Sequence, residues 1–297
     1  MLLPRLARFP LRNFRFPRQY STGSQDILVS DKSNGVFHVQ LNRPDTRNAF
    51  TLELWDELGS TFNRLSDDSK CRSIVLSGSG KSFCAGIDLK SGLTGLIGII
   101  SDDNMDGARK ARALRKIIKI CQDGYTAIEK CSKPVIASVH SHCFGAGISL
   151  VGCCDIRYCS NDTRFSIKEV DIGLAADVGI LQRIEKITGN SSFSREIAYT
   201  AREVSSAEAL NFGLVSKVFS TQEECLAACV ELAELIASKS PVAVQGSKLA
   251  LNYARSHGVD DALEFMLTWN QSQLQTEDLM RNATAKMTKT KPEFNDV

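Results

Sequence analysis

Two carboxylates eight residues apart, Glu169 and Asp177, stand in a segment (residues 154–179) otherwise rich in small and apolar residues. Moving a carboxyl group out of water raises its pKa, and a raised pKa lets one acid donate a proton while another accepts one. The pair could therefore transfer a proton between two carbon atoms. The spacing alone equally allows a helix cap and a surface charge.

Two turns rich in small residues, at residues 82–89 and 142–147, could supply the other half of such chemistry. Ala85 and Gly86 follow a predicted strand and leave backbone N–H groups accessible, and the second turn precedes a predicted helix, whose first amides attract negative charge. One N–H from each turn, converging on one oxygen, would form an oxyanion hole. The alternative is that the glycines only permit tight turns or close packing. Lys81 could meet a phosphate or be a solvated surface lysine.

The elements that must position these groups alternate between strands and helices. The Asn34-Gly35 pair predicts a hairpin between two strands, and Thr51 predicts the cap of a helix with apolar residues at helical spacing. Repeated strand–turn–helix units indicate an α/β fold. The predicted strands are 27–30, 36–41, 73–77, 135–139 and 154–158, and the longest predicted helix is 108–130.

Beyond about Ser205 the pattern predicts only helices, at residues 205–211, 222–239, 242–256 and 260–275. The predicted division is an α/β core at residues 21–200 and a helical region at residues 201–297.

The composition argues against a membrane protein, a disulfide-rich protein and a zinc protein. The 297 residues are 43% hydrophobic and 24% charged, and no apolar run reaches the roughly 18 residues that a transmembrane helix needs. Ten cysteines and four histidines show neither a disulfide framework nor zinc-ligand spacing. We therefore expect no metal, no transmembrane segment and a reducing compartment.

The first twenty residues carry five arginines and no acid, which is typical of a mitochondrial transit peptide. The alternative is a basic arm that binds nucleic acid or lipid. Without residues 1–20 the formal charge falls from +2 to −3, because five arginines leave and no acid does. A mildly acidic body is not expected to bind nucleic acid. The last three residues are not a peroxisomal SKL-type signal, so the mitochondrial matrix is favoured over the peroxisome.

Four motifs, LNRPDTRNAF (41–50), KSFCAGIDL (81–89), KPVIASVHSHCFGAGISL (133–150) and CDIRYC (154–159), resemble the crotonase, or enoyl-CoA hydratase/isomerase, superfamily. The resemblance implies a spiral of repeated ββα units with a C-terminal helical region that builds trimers, often paired into hexamers. It also implies an acyl-CoA substrate, with coenzyme A as part of that substrate and not a separate cofactor. The implied donors to the thioester oxygen are the amides of Ile87 and of Ala146 or Gly147. The implied contacts to coenzyme A and the acyl group are Lys81, Ala85, Gly86, Ile87, Asp88, Leu89, Lys90 and Gly147.

Within the superfamily, KEVDIGLAADVG (168–179) is most similar to the Δ3,5-Δ2,4-dienoyl-CoA isomerases of unsaturated fatty-acid β-oxidation. Moving two conjugated double bonds requires a proton to leave C2 and another to arrive at C6. The resemblance implies Glu169 as the base at C2 and Asp177 as the acid at C6, although the two roles could be reversed.

One position departs from the family pattern. The third acid of the family, in the helix after the second turn, is replaced by Ser149. Its absence disfavours water addition by two glutamates, and Ser149 could instead hydrogen-bond Glu169 or hold a water. The alternatives to a dienoyl-CoA isomerase are another acyl-CoA isomerase, a weak hydratase, or a catalytically reduced CoA-binding homologue.

Overall fold

A computed structural model describes residues 26–90 and 92–297. The transit peptide predicted at residues 1–20 lies outside the described residues. The strands are β1 (Ile27–Asp31), β2 (Val36–Leu41), β3 (Ser73–Gly78), β4 (Val135–Val139), β5 (His142–Phe144), β6 (Ile156–Ser160), β7 (Arg164–Ser166), β8 (Val204–Ser205) and β9 (Lys217–Phe219).

The helices are α1 (Leu52–Asp67), α2 (Gly92–Ile100), α3 (Gly107–Lys130), α4 (Ala146–Val151), α5 (Ile184–Thr188), α6 (Ser191–Thr200), α7 (Ser206–Asn211), α8 (Gln222–Ala237), α9 (Pro241–Ala254), α10 (Val259–Gln273) and α11 (Asp278–Thr288). Two short 3-10 helices, Pro44–Thr46 and Glu169–Ile172, join them.

A six-stranded sheet in the order β1-β2-β3-β4-β6-β9 forms the centre of the fold. Only the pairing of β1 with β2 is antiparallel, and its turn uses the positive φ angles of Asn34 (54°) and Gly35 (79°), as the hairpin prediction requires. Thr51 caps α1 by accepting a hydrogen bond from the amide of Leu54.

Both faces of this sheet are covered. Ile74 and Leu76 of β3 join a core with α1 and α3, whereas Val75 between them joins a second core with α8. Alternate residues of a strand point to opposite faces, so β3 is buried along its whole length. The α/β prediction is confirmed.

The expectation of helices alone beyond Ser205 is wrong. Strand β9 pairs in parallel with β6, and helix α8 packs on β3 and β4, so this part of the chain completes the large sheet. Three residues are too few to show a strand periodicity, and Lys217 to Phe219 gain their partners from a strand about sixty residues earlier. The strand predicted at residues 154–158 lies two residues later, at Ile156–Ser160.

Two of the last helices, α9 and α10, leave apolar side chains exposed. Helix α10 packs on α9 and contains no buried residue, and apolar side chains along the two helices are exposed: Leu251, Val259, Leu263 and Leu267. None of the described helices is both long enough and apolar enough to cross a membrane.

Candidate active site

The site forms where three parallel segments end at one edge of the smaller sheet, whose order is β5-β7-β8. Residue Cys84 bridges in parallel to Cys143 of β5, with hydrogen bonds of 2.9 Å from the Cys84 amide to His142 O and 3.0 Å from the Phe144 amide to Cys84 O. Strand β5 in turn pairs in parallel with β7. Because the carboxyl ends of parallel strands meet at the same edge, the residues that follow each segment come together.

These following residues are Ile87, Ala146 and Glu169, and their turns approach one another around Gly145. A Cβ atom at Gly145 would lie 3.7 Å from Oε1 of Glu169 and 3.7 Å from Cα of Gly86. Gly145 also has a φ of +50°, a conformation that other residues rarely adopt. The two predicted turns and the predicted base thus share one small volume.

The first turn directs a backbone amide away from its neighbouring strand segment. The amide of Phe50 donates to Gly86 O at 2.8 Å, and the amide of Asp88 donates to Phe50 O at 2.9 Å. In such a parallel bridge the intervening residue points its own N–H to the opposite side. The Ile87 amide therefore faces away from Phe50.

The second turn presents amides at a helix start. Ala146 and Gly147 are the first two residues of α4, and the first amides of a helix have no acceptor within the helix. A Cβ atom at Gly147 would lie 2.9 Å from Cβ of Cys84, so only glycine lets α4 pack this closely on the first turn. From the other side, Tyr125 of α3 donates its hydroxyl to Ala146 O at 2.8 Å.

Side chains hold the first turn in shape. Asn48 is fully buried with a φ of +56°, and its amide nitrogen donates to Ser82 O at 2.9 Å and to Phe83 O at 3.1 Å. Asp88 pairs with Arg43 at 3.3 Å and accepts a hydrogen bond from the amide of Lys90. Asp88, predicted to contact substrate, therefore also braces its own loop.

Glu169 is half-buried at the start of a 3-10 helix. Burial raises the pKa of its carboxyl, its own amide lowers the pKa, and the negative charge of Asp177 raises it again. Its buried Oε2 accepts no hydrogen bond from the described residues. A carboxylate in this state is a stronger base than one in water.

Asp177 lies within electrostatic range of Glu169 but is exposed. Partial burial still raises the pKa of its carboxyl, an effect that its own amide opposes. The side chain of Gln122 on α3 donates to the main-chain oxygen of Asp177 at 2.7 Å. The charge of Asp177 thus acts on Glu169, the other acid that the sequence singled out.

Ser149 is fully buried one helical turn below Gly145, and its amide donates to Gly145 O at 3.1 Å. Its hydroxyl oxygen has no hydrogen-bond partner among the described residues, so the suggested hydrogen bond to Glu169 is not formed.

The remaining predicted contact residues lie along the outer side of the first turn: Lys81, Ala85, Leu89 and Lys90 are all exposed. Three residues that hold the site were not predicted: Asn48, Tyr125 and Gln122. Asn48 stands inside the motif LNRPDTRNAF (41–50), whereas Tyr125 and Gln122 carry no local signal. Within residues 26–90 and 92–297, no group of three or more histidine, cysteine or acidic residues could hold a metal ion.

The chain is similar to known proteins in sequence and in fold. The model of a family described as enoyl-CoA hydratase/isomerase matches residues 31–297. Mitochondrial Δ(3,5)-Δ(2,4)-dienoyl-CoA isomerase of Mus musculus is 49% identical over 276 residues, which are 93% of this chain and 84% of the mouse protein. The peroxisomal isomerase of that name from Arabidopsis thaliana is 42% identical and covers 91% of this chain and 96% of its own. The crystal structure of an enoyl-CoA hydratase from Bacillus anthracis superposes with a TM-score of 0.80 at 26% identity, over 91% of this chain and 99% of that one.

Proposed function

The chain belongs to the enoyl-CoA hydratase/isomerase family, and on that premise we propose that it is a Δ3,5-Δ2,4-dienoyl-CoA isomerase. It converts 3,5-dienoyl-CoA to 2,4-dienoyl-CoA in the oxidation of unsaturated fatty acids. The observation that carries the proposal is the position of Glu169 against Gly145, with Asp177 within electrostatic range.

The thioester oxygen binds between the two turns, where the Ile87 amide and the Ala146 or Gly147 amide donate to it. Negative charge develops on this oxygen when a proton leaves C2, and fixed donors at that point lower the barrier. The close approach of Gly86 to Gly145 supports this arrangement.

Glu169 serves as the base at C2. C2 is bonded to the thioester carbonyl carbon, and Glu169 is the acid that approaches the second turn closely. Its carboxylate takes the C2 proton, and the electron pair moves into a dienolate that extends from the thioester oxygen to C6.

Asp177 serves as the acid at C6. Its carboxyl group gives a proton to C6, the electrons return from the thioester oxygen, and the double bonds end at C2 and C4. The raised pKa of Asp177 favours the protonated form that this step consumes.

Hydration is disfavoured because Ser149 occupies the position of the family's third acid and carries no charge. The same replacement is what favours a catalytically reduced CoA-binding homologue. The retained Glu169 and Asp177, both with raised pKa values, argue against that alternative.

The test uses the full chain with 3,5-dienoyl-CoA, a chelator and no added cofactor, and follows the ultraviolet absorbance of the 2,4-dienoyl product. We expect turnover, and a loss of about 10²- to 10⁴-fold in Asp177→Asn. Asp171→Asn is the matched control, because Asp171 is an exposed acid in the same segment that pairs with Lys168 at the surface. Wild-type protein without turnover would favour the binding-protein alternative, and undiminished turnover in Asp177→Asn would refute the mechanism.

The proposed assembly is a homotrimer or a hexamer of two trimers. Exposed apolar side chains along α9 and α10 supply the surface that neighbouring copies would cover. Light scattering on the purified chain would give the mass, and a monomer at micromolar concentration would contradict the proposal.

The proposed compartment is the mitochondrion. The mouse relative is named mitochondrial and the Arabidopsis relative peroxisomal, and the arginine-rich, acid-free residues 1–20 favour the former. Fusion of residues 1–20 to a fluorescent protein would test it, since import into mitochondria is expected and a diffuse signal would contradict it.

A further inference from the structure

Helix α3 contacts both halves of the site. Tyr125 donates its hydroxyl to Ala146 O of the second turn at 2.8 Å, and Gln122 donates its side-chain amide to Asp177 O at 2.7 Å. Residues three apart share one face of a helix and are separated by about 4.5 Å along its axis. One rigid element is thus bonded to the groups that bind the thioester and to the segment that carries the distal acid.

The side chains of Ala176 and Val178 pack on the core, but the main chain around Asp177 has few hydrogen-bonded supports. Residues 175–179 form no repeating structure, and in the described part of the chain their main chain makes no hydrogen bond to another main-chain group. Two of their carbonyl oxygens are held by side chains, Asp177 O by Gln122 and Gly179 O by Arg183 at 3.0 Å.

Arg183, which holds Gly179 O, is itself bound to α3. Arg183 pairs with Glu129 of α3 at 2.6 Å, and Gly179 has a φ of +128° with no room for a Cβ atom beside Arg183. Gly179 is two residues beyond the acid, whereas Gln122 bonds the acid's own peptide group. Arg183 therefore anchors the end of the segment, and Gln122 holds Asp177 itself.

We propose that Gln122 is a positioning residue that fixes Asp177 at the distance from the thioester site where C6 of the substrate arrives. The inference rests on the proposed function, because it gives Gln122 a role only if Asp177 protonates C6. Through Gln122 and Tyr125, helix α3 fixes the distance between Asp177 and the thioester site, and this distance determines which carbon is protonated.

Removing the side-chain amide of Gln122 should therefore slow the second proton transfer, to C6, without slowing the first, from C2. Substrate binding and removal of the C2 proton depend on Glu169 and the two turns, which Gln122 does not touch. Protonation at C6 slows, because a misplacement of about 1 Å can cost a catalytic group about 100-fold. The dienolate then returns more often to starting material.

The experiment compares wild type with Gln122→Met, which keeps the length of the side chain and removes its donor. Gln182→Met is the matched control, since Gln182 is exposed in the same cleft of about 490 Å³ between α3 and α9. Each protein is given 3,5-dienoyl-CoA in D₂O, and mass spectrometry measures deuterium at C2 of the unreacted substrate against product formed. Gln122→Asn, which keeps the amide but shortens the side chain, gives a second test if Gln122→Met does not fold.

We expect Gln122→Met to lower kcat about 10- to 100-fold with KM within twofold of wild type, and to raise C2 exchange per product. Gln182→Met should match wild type in all three quantities. A Gln122→Met protein with wild-type kcat and exchange would overturn the inference and leave the proposed function intact. A parallel fall in exchange and product would assign Gln122 a merely structural role, and wild-type protein without turnover would remove the proposed function itself.

Discussion

The burial of Glu169 makes its carboxylate a stronger base and lowers the stability of the folded protein. Burial is the largest cause of its raised pKa, so the folded chain disfavours the ionised carboxylate. The resulting loss of stability is absent below the ordinary pKa of a glutamate and fully present above the raised value.

Glu169→Gln should therefore stabilise the protein while inactivating it. We expect a higher melting temperature than wild type at pH 7 to 8, a difference that disappears near pH 4, and a loss of about 10²- to 10⁴-fold in kcat. Glu231→Gln, at an exposed position of α8, should change neither quantity. Equal melting temperatures for Glu169→Gln and wild type at pH 8 would contradict this reasoning.

Two fully buried serines give a second comparison. Ser149 has no hydrogen-bond partner for its hydroxyl, whereas Ser73 donates to Ala233 O at 2.9 Å. An unsatisfied buried hydroxyl costs about 1–3 kcal/mol, and a satisfied one contributes about 1 kcal/mol. Ser149→Ala should raise the free energy of unfolding and Ser73→Ala should lower it, as urea denaturation would measure. A loss of stability in Ser149→Ala would show that its hydroxyl is paired in solution.

At the scale of residues, the sequence identified the groups whose chemistry is evident from their type and immediate neighbours. Glu169 and Asp177 are acids among apolar residues, and the charge of Asp177 raises the pKa of Glu169. Tyr125 and Gln122 were missed because each bonds a main-chain oxygen twenty or more residues away. A polar residue on an amphipathic helix gives no local sign of such a contact.

Among the elements, α4 depends on glycine at position 147 for its packing on the first turn. A Cβ atom at Gly147 would lie 2.9 Å from Cβ of Cys84, closer than packed carbon atoms approach. Gly147→Ala should cost about 1–3 kcal/mol of stability and lower kcat, because the shift moves the amides at the start of α4. Thermal unfolding and the isomerase assay would measure both effects.

Gly98 in α2 is the matched control for that substitution. A Cβ atom there would meet nothing within 4 Å, and alanine favours a helix over glycine by about 1 kcal/mol. Gly98→Ala should therefore keep or raise the stability. If both alanine variants lost the same stability, contact with Cys84 would not be the cause.

Elements with strong local signals were predicted within one or two residues. Helix α1 has its cap at Thr51, helix α3 was expected at 108–130 and found at Gly107–Lys130, and the Asn34-Gly35 turn fixed the first hairpin. Strands β5, β7 and β9 have three residues each and were not predicted. These strands form because segments distant in sequence supply their hydrogen-bond partners. A local sequence pattern does not show such partners.

For the whole molecule, acid stability should depend on buried histidines. His38 of β2 is 8% exposed and bonds Ser77 of β3 at 2.8 Å, and its burial, together with the charge of Lys32, lowers its pKa to about 4. His140 is shifted in the same direction by burial. A lowered pKa means that folding disfavours the charged imidazole.

Stability should accordingly be complete above pH 6.5 and fall as the pH drops from 6.5 towards 4, by at most about 3 kcal/mol for His38. The raised pKa values of Glu169 and Asp177 act in the opposite direction over part of this range. His38→Gln should flatten the decline measured by urea denaturation between pH 7 and 4. An unchanged slope would mean that other groups control it.

All ten cysteines are buried and form no disulfide, so their reaction with a thiol reagent would report local opening of the protein. Burial raises the pKa of Cys84 and Cys121 to about 12, and only a thiolate reacts quickly with an alkylating reagent. Thiols with a pKa raised in this way should therefore become labelled only when their surroundings open. Pulsed alkylation read by mass spectrometry would rank the opening rates of α3, the large sheet and α8 without any introduced probe.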